Sequence, residues 1–154
     1  MKAAGDAAPG FELRDLSGSD VKLGDVLKNG PALLAFFKIS CPVCQLTFPY
    51  LQRLSAGTGM QVIGISQDEA RDTESFNQRY GVTFPTVLDR RADGYAVSNA
   101  YGITNVPSLF LVEPDGQISM AGSGFAKRDI EALAARVGVA VFNPGERAPE
   151  FKPG

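Results

Sequence analysis

Residues 39–50 read ISCPVCQLTFPY and contain both cysteines of the chain, Cys41 and Cys44, three positions apart. Immediately upstream, ALLAFFKI at 32–39 is continuously apolar and rich in Leu and Phe, the pattern of a central strand covered on both faces. Residues 42–56 read as a helix that ends at Gly57 and Gly59. The pair therefore falls on a strand-to-helix turn at the carboxyl edge of a sheet, where open α/β sheets place their ligand sites. Pro42 suits the first helical turn, because its missing N–H would have no partner there in any case. That makes Cys41 the expected N-cap, with its sulfur facing free backbone N–H groups and the positive end of the helix dipole. Both favour thiolate over thiol, and cysteines so placed titrate below the free value of about 8.5. Cys44 lies one turn on, with its Cβ on the order of 5 Å away, and modest rotamer adjustment brings the sulfurs within bonding reach. An exposed first thiol and a second one tucked behind it suit a two-step exchange, in which Cys41 attacks a substrate disulfide and Cys44 resolves the mixed disulfide.

Composition narrows the alternatives. A chain of 154 residues, 44% hydrophobic and 21% charged, matches one globular domain with a core of its own. Fifteen Lys and Arg against 17 Asp and Glu give a formal charge of −2, and no basic cluster exceeds Arg90-Arg91, so neither nucleic acid nor an anionic membrane is an expected partner. The chain has no histidine, which removes Ser/His/Asp and Cys/His catalysis and the usual zinc and copper sites. No metal and no other bound cofactor is expected. Two cysteines cannot staple a disulfide-scaffold fold. A structural disulfide closing so short a loop removes little unfolded-state entropy. Two inert buried thiols are a general alternative, but not an attractive one at a strand-to-helix junction with proline between them.

The N-terminal stretch MKAAGDAAPGFELRDLSG has no apolar segment, and the longest apolar run, PALLAFF, is too short to span a bilayer. A cytoplasmic location is expected, or a periplasmic one if a signal peptide has been removed.

The rest of the chain alternates strands and helices. FELRDL and DVKL flank the turn SGS as an N-terminal hairpin. QVIGIS at 61–66 is a second buried strand, followed by the polar helix DEARDTESFNQRYG closed by Gly81. This β-α-β order implies parallel strands with a right-handed crossover. PTVLD at 85–89 is a strand and 93–101 a short helical piece. SLFLV and QISMA flank Pro114-Asp115-Gly116 as an antiparallel hairpin. DIEALAARV at 129–137 places Ile130, Leu133, Ala134 and Val137 on one helical face. The fold class is α/β, a mixed central sheet with helices on both faces. One domain over 1–138 is followed by a tail, 139–154, whose prolines and glycines exclude a regular element, although Phe142 and Phe151 are unusual for pure disorder.

The runs FFKISCPVCQLTFPYLQRL, NVPSLFLVEPDG and APGFELRDLSG resemble the thioredoxin-like superfamily. They are most similar to the TlpA/ResA branch of thiol-disulfide oxidoreductases, with redoxin or AhpC/TSA-type domains, over roughly residues 5–138. The resemblance implies a thioredoxin-like fold, with Cys41 as nucleophile and Cys44 as resolving thiol. It also implies a cis bond between Val106 and Pro107 that faces the cysteines and aims the Val106 backbone at a substrate peptide. Ser40, Pro42, Val43, Val106 and Pro107 are then the substrate-contacting positions. Pro49 resembles the proline that kinks the active-site helix, and GSGF at 122–125 resembles the loop that helps line the substrate groove.

Departures from the family pattern bear on mechanism. Ser40 stands where a Trp commonly precedes the first cysteine, which reduces the apolar rim. The buried acid that assists the second cysteine would fall at Ala35, or in the ResA branch at Thr47, and neither carries a titratable proton. Deprotonation of Cys44 is left to water, to Lys38, or to an acid from elsewhere. Peroxiredoxins, which the region also resembles, require a Pro-x-x-x-Thr-x-x-Cys pattern; the corresponding positions here are Leu34 and Lys38. The expected activity is thiol-disulfide exchange by a monomer or weak dimer, using a protein or small-molecule disulfide and an upstream thiol reductant. Peroxidase activity and a non-enzymatic redox-sensing or binding role are the alternatives.

Overall fold

A computed structural model describes residues 1–154. In chain order its elements are β1 (Glu12–Asp15), β2 (Asp20–Lys22), α1 (Leu23–Leu27), β3 (Ala32–Phe37), α2 (Pro42–Leu54), β4 (Gln61–Ser66), α3 (Ala70–Tyr80), β5 (Thr86–Leu88), a 3-10 turn (Arg91–Asp93), α4 (Ala96–Ala100), β6 (Ser108–Val112), β7 (Ile118–Ser123), β8 (Phe125–Ala126), α5 (Lys127–Val137) and β9 (Phe151–Lys152). Seven strands form one mixed sheet in the order β2-β1-β5-β4-β3-β6-β7.

The apolar run becomes β3, and all six of its residues are buried because it is an interior strand with a core on each face. It pairs in parallel with β4 and antiparallel with β6. Alternation along β3 divides its side chains between two cores. Leu33, Ala35 and Phe37 join the face covered by α2, α3 and α5; Leu34 and Phe36 join the opposite face, with Leu23 of α1 and Val97 of α4. The first of these faces fixes the seat of α2. Phe48 of that helix lies 4.2 Å, centroid to centroid, from Phe37 of the sheet and 5.5 Å from Phe76 of α3, so the helix is wedged between its neighbours by aromatic contact. Gly81 and Gly138 end α3 and α5 in the left-handed conformation, at φ 69° and 72°. No helix is long and apolar enough to cross a membrane.

The structure corrects two expectations. The helical piece expected over 93–101 is broken: Gly94 and Tyr95 both adopt positive φ, so a 3-10 turn ends before α4 begins. The start of α4 is held by Asp89, whose buried carboxylate accepts the Ser98 N–H and hydroxyl, both at 2.6 Å. The second correction is in 139–154, where a regular element was excluded. Its prolines flank rather than interrupt the two residues of β9, which pair antiparallel with β8. Val141 is buried, Phe142 packs 4.8 Å from the Tyr50 ring, and Arg53 donates to the Val141 carbonyl at 2.7 Å and to both Glu146 oxygens at 2.6 and 3.0 Å. Phe151, in contrast, remains 56% exposed.

Replacing Phe48 with Ala should leave a cavity under α2 that the surrounding rings cannot close, at a cost of about 3–5 kcal/mol. Urea unfolding of the two proteins measures it, read as a lower midpoint at unchanged slope.

Candidate active site

Cys41 takes extended backbone angles, φ −84° and ψ 115°, and caps α2 with Pro42 at the first helical position. Its sulfur accepts the Cys44 backbone N–H at 3.1 Å, which satisfies one of the first-turn donors that a helix leaves unpaired. The same sulfur lies 3.4 Å from the Val106 carbonyl oxygen, to which the thiol donates. A thiolate keeps the first of these contacts and gives up the second. The turn entering the helix is pinned from two sides: Ile39 donates its N–H to Asp68 Oδ2 at 2.8 Å, and its carbonyl accepts from Gln45 Nε2 at 3.0 Å.

The two thiols differ in exposure. Cys41 is half-buried, whereas Cys44 is fully buried among the side chains beneath α2. Burial pushes the pKa of the Cys44 thiol far up, because no water solvates its anion. Its hydrogen bond to Cys41 pushes the same way, as do the charges of Cys41 and Asp68; only the Lys38 backbone N–H opposes them. Ala35 and Thr47 are fully buried, and the Thr47 hydroxyl is spent on the Val43 carbonyl at 2.6 Å.

The remaining expected site residues surround the pair. Ser40 and Pro42 are exposed, Val43 and Val106 are half-buried, and Pro107 is buried. The Val106-Pro107 bond is cis, as the resemblance implied. The GSGF segment is joined to this loop through the Gly124 N–H, which donates to the Pro107 carbonyl at 2.8 Å. Leu34 points into the opposite core, away from the cysteines, and Lys38 is exposed, so neither builds a peroxide pocket. The larger hollows of the surface, around Asn77 and Thr86 and around Leu88 and Arg90, are not lined by either cysteine.

Asp68 is the residue that sequence reasoning missed. Its signal was position alone: it follows β4 at the same carboxyl edge of the sheet that carries Cys41.

At pH 7, iodoacetamide should modify Cys41 of the reduced protein and leave Cys44 untouched, which peptide mass mapping reads directly. The buried thiol also sets a pH dependence of stability. Above the unfolded-state value of about 8.5 the unfolded chain releases the Cys44 proton while the folded chain retains it, so stability falls as pH rises through that point. Cys44→Ser should remove that part of the alkaline slope in denaturant titrations.

Comparison with known proteins agrees with this geometry. Residues 4–121 match the AhpC/TSA family. The thiol-disulfide oxidoreductase ResA of Geobacillus kaustophilus is 33% identical over 134 residues, which is 84% of this chain and 75% of that protein. ResA of Bacillus subtilis is 31% identical over 124 residues, 78% of this chain and 67% of that protein. The thioredoxin domain of a thiol-disulfide oxidoreductase from Bacteroides vulgatus superposes with a TM-score of 0.78 at 26% identity, covering 89% of this chain and 99% of that one. With its two cysteines one helical turn apart on a thioredoxin-like fold, the chain belongs to the AhpC/TSA family and stands there with the ResA-type thiol-disulfide oxidoreductases.

Proposed function

We propose that this protein exchanges disulfides through Cys41 as the attacking thiol and Cys44 as the resolving one. The observation that carries the assignment is the asymmetry of the pair: a half-exposed sulfur receiving a helix N-terminal N–H, and a buried thiol held protonated behind it.

The Cys41 thiolate attacks one sulfur of the substrate disulfide, forming a mixed disulfide while the other substrate sulfur leaves as thiolate and takes a proton from solvent. Cys44 then loses its proton and attacks the Cys41 sulfur. The second substrate thiol is expelled and the Cys41–Cys44 disulfide remains. Two electrons have passed from protein to substrate, and an upstream thiol reductant restores the dithiol by the same steps in reverse. Ionisation of Cys41 releases the Val106 carbonyl, which is then free to accept an N–H from a bound substrate. The substrate is a protein or small-molecule disulfide. A cytoplasmic location implies a reductant, whereas a periplasmic one implies exchange against an oxidising pool.

A peroxidase reading finds no support at Leu34 and Lys38. A redox-sensing role draws on Ala35 and Thr47, which give Cys44 no acid to hand its proton to.

Cys44→Ser should accumulate a mixed disulfide with a model substrate, visible as an adduct in intact-protein mass spectrometry. Cys41→Ser should lower the exchange rate by a factor on the order of 10³, as expected when the attacking group itself is removed. Parental rates in the Cys41 variant would reverse the roles. Peroxide consumption faster than disulfide exchange would favour the peroxidase, and negligible turnover with an oxidation-dependent change of surface would favour the sensor.

A further inference from the structure

We propose that residues 150–154 lie on the strand edge that an extended polypeptide substrate needs, so that this segment makes the site selective for small-molecule disulfides until it is displaced. The inference rests on the exchange reading above.

The segment runs beside the thiol. Lys127 donates its N–H to the Glu150 carbonyl at 3.0 Å, and the pairing continues as Ala126 with Phe151 and Phe125 with Lys152. Gly124, at φ +75°, lies so close under the Lys152 carbonyl that a Cβ there would overlap it. Beyond β9 the chain reaches the cis-proline loop, where a Cβ on Gly154 would overlap the carbonyl oxygen of Val106. That is the oxygen against which the Cys41 thiol rests at 3.4 Å. The segment thus bridges the edge of β8 and the loop facing the nucleophile.

The ladder contacts use main-chain atoms, which any extended polypeptide reproduces. A substrate strand and residues 150–154 would compete for the same groups. The competition is reversible by construction. Residues 151–154 are all exposed, and Phe151 turns most of its ring to solvent, so no apolar side chain among these four residues pins the segment. The firm anchors lie upstream at Val141, Phe142 and Glu146, and Pro149 separates them from β9. The strand can lift while the anchors hold. A small disulfide, in contrast, needs only the half-exposed Cys41 sulfur and none of the β8 edge.

Lys152→Pro tests this in the full chain. Proline opposite Phe125 cannot donate to the ladder, and the position is too exposed for the change to threaten folding. Single-turnover rates are measured for the reduced proteins against an extended, disulfide-linked peptide and against 5,5′-dithiobis(2-nitrobenzoate). The variant should react about tenfold faster with the peptide, the gain expected when a competitor occupying the edge roughly nine-tenths of the time is removed. Its rate with the small disulfide should change less than about twofold on the same reasoning. Where exchange proceeds, an unchanged peptide rate, or an equal gain for both substrates, overturns the proposal. A cysteine-free extended peptide titrated into both proteins, followed by amide chemical shifts, separates the two readings. If neither protein exchanges disulfides but the variant binds this peptide more tightly, the exchange reading falls and the competition stands. If exchange proceeds and the variant gains neither rate nor affinity, the competition falls and the exchange reading stands.

Discussion

The first turn of α2 has backbone donors that no carbonyl can reach, and the group that meets one of them is a cysteine sulfur. Serine, threonine and aspartate are the ordinary caps because their oxygens are short and strongly accepting. A neutral thiol is a weak acceptor, and a thiolate is a strong one. A charged sulfur would therefore make a stronger cap than a neutral one, and the interaction that begins the helix is made by the same atom to which the attacking role is proposed. Pro42 takes part by supplying a first helical residue that has no donor of its own.

For that cap to act on a substrate, the helix must start where the sheet ends and must not shift. β3 is buried along its whole length between β4 and β6, so its carboxyl end is fixed by pairing on both sides. The four residues that join it to α2 are held by Asp68 and Gln45 through the backbone of Ile39. Behind the helix, Phe48 is wedged between Phe37 and Phe76. The half-exposed sulfur is thus set on elements with little freedom to move, while the segment that crosses beside it, 150–154, is among the least anchored parts of the chain.

Much of this was legible in the sequence because the signals were local. The apolar run at 32–39, Cys41 ahead of Pro42, Gly81 at a helix end, and Pro114-Asp115-Gly116 between strands each encode their own geometry within a few residues. What was missed depends on partners far apart in the chain. β8 and β9 are two residues each, and neither is a strand without the other, which lies 27 positions away in the register of Phe125 with Lys152. The break before α4 turns on Tyr95, a side chain that rarely adopts positive φ and gave no warning. Asp68 is one acidic residue among many, and only the sheet order brings it to the turn before Cys41.

The buried thiol completes the argument, because its reluctance to ionise depends on the state of its neighbour. Desolvation is the largest cause and is constant, but the hydrogen bond and the charge of Cys41 also hold the proton on Cys44. Once Cys41 is joined to a substrate in a mixed disulfide, it carries no charge and accepts no proton. In the proposed exchange those two contributions would be absent at the step where Cys44 becomes a thiolate, with the Lys38 backbone N–H still able to stabilise the anion. In the exchange proposed above, a resolving thiol eased toward ionisation in the intermediate would need less help from a dedicated acid, and Ala35 and Thr47 supply none. The same burial restricts access to Cys44, so in the proposed exchange a substrate disulfide would meet Cys41 first.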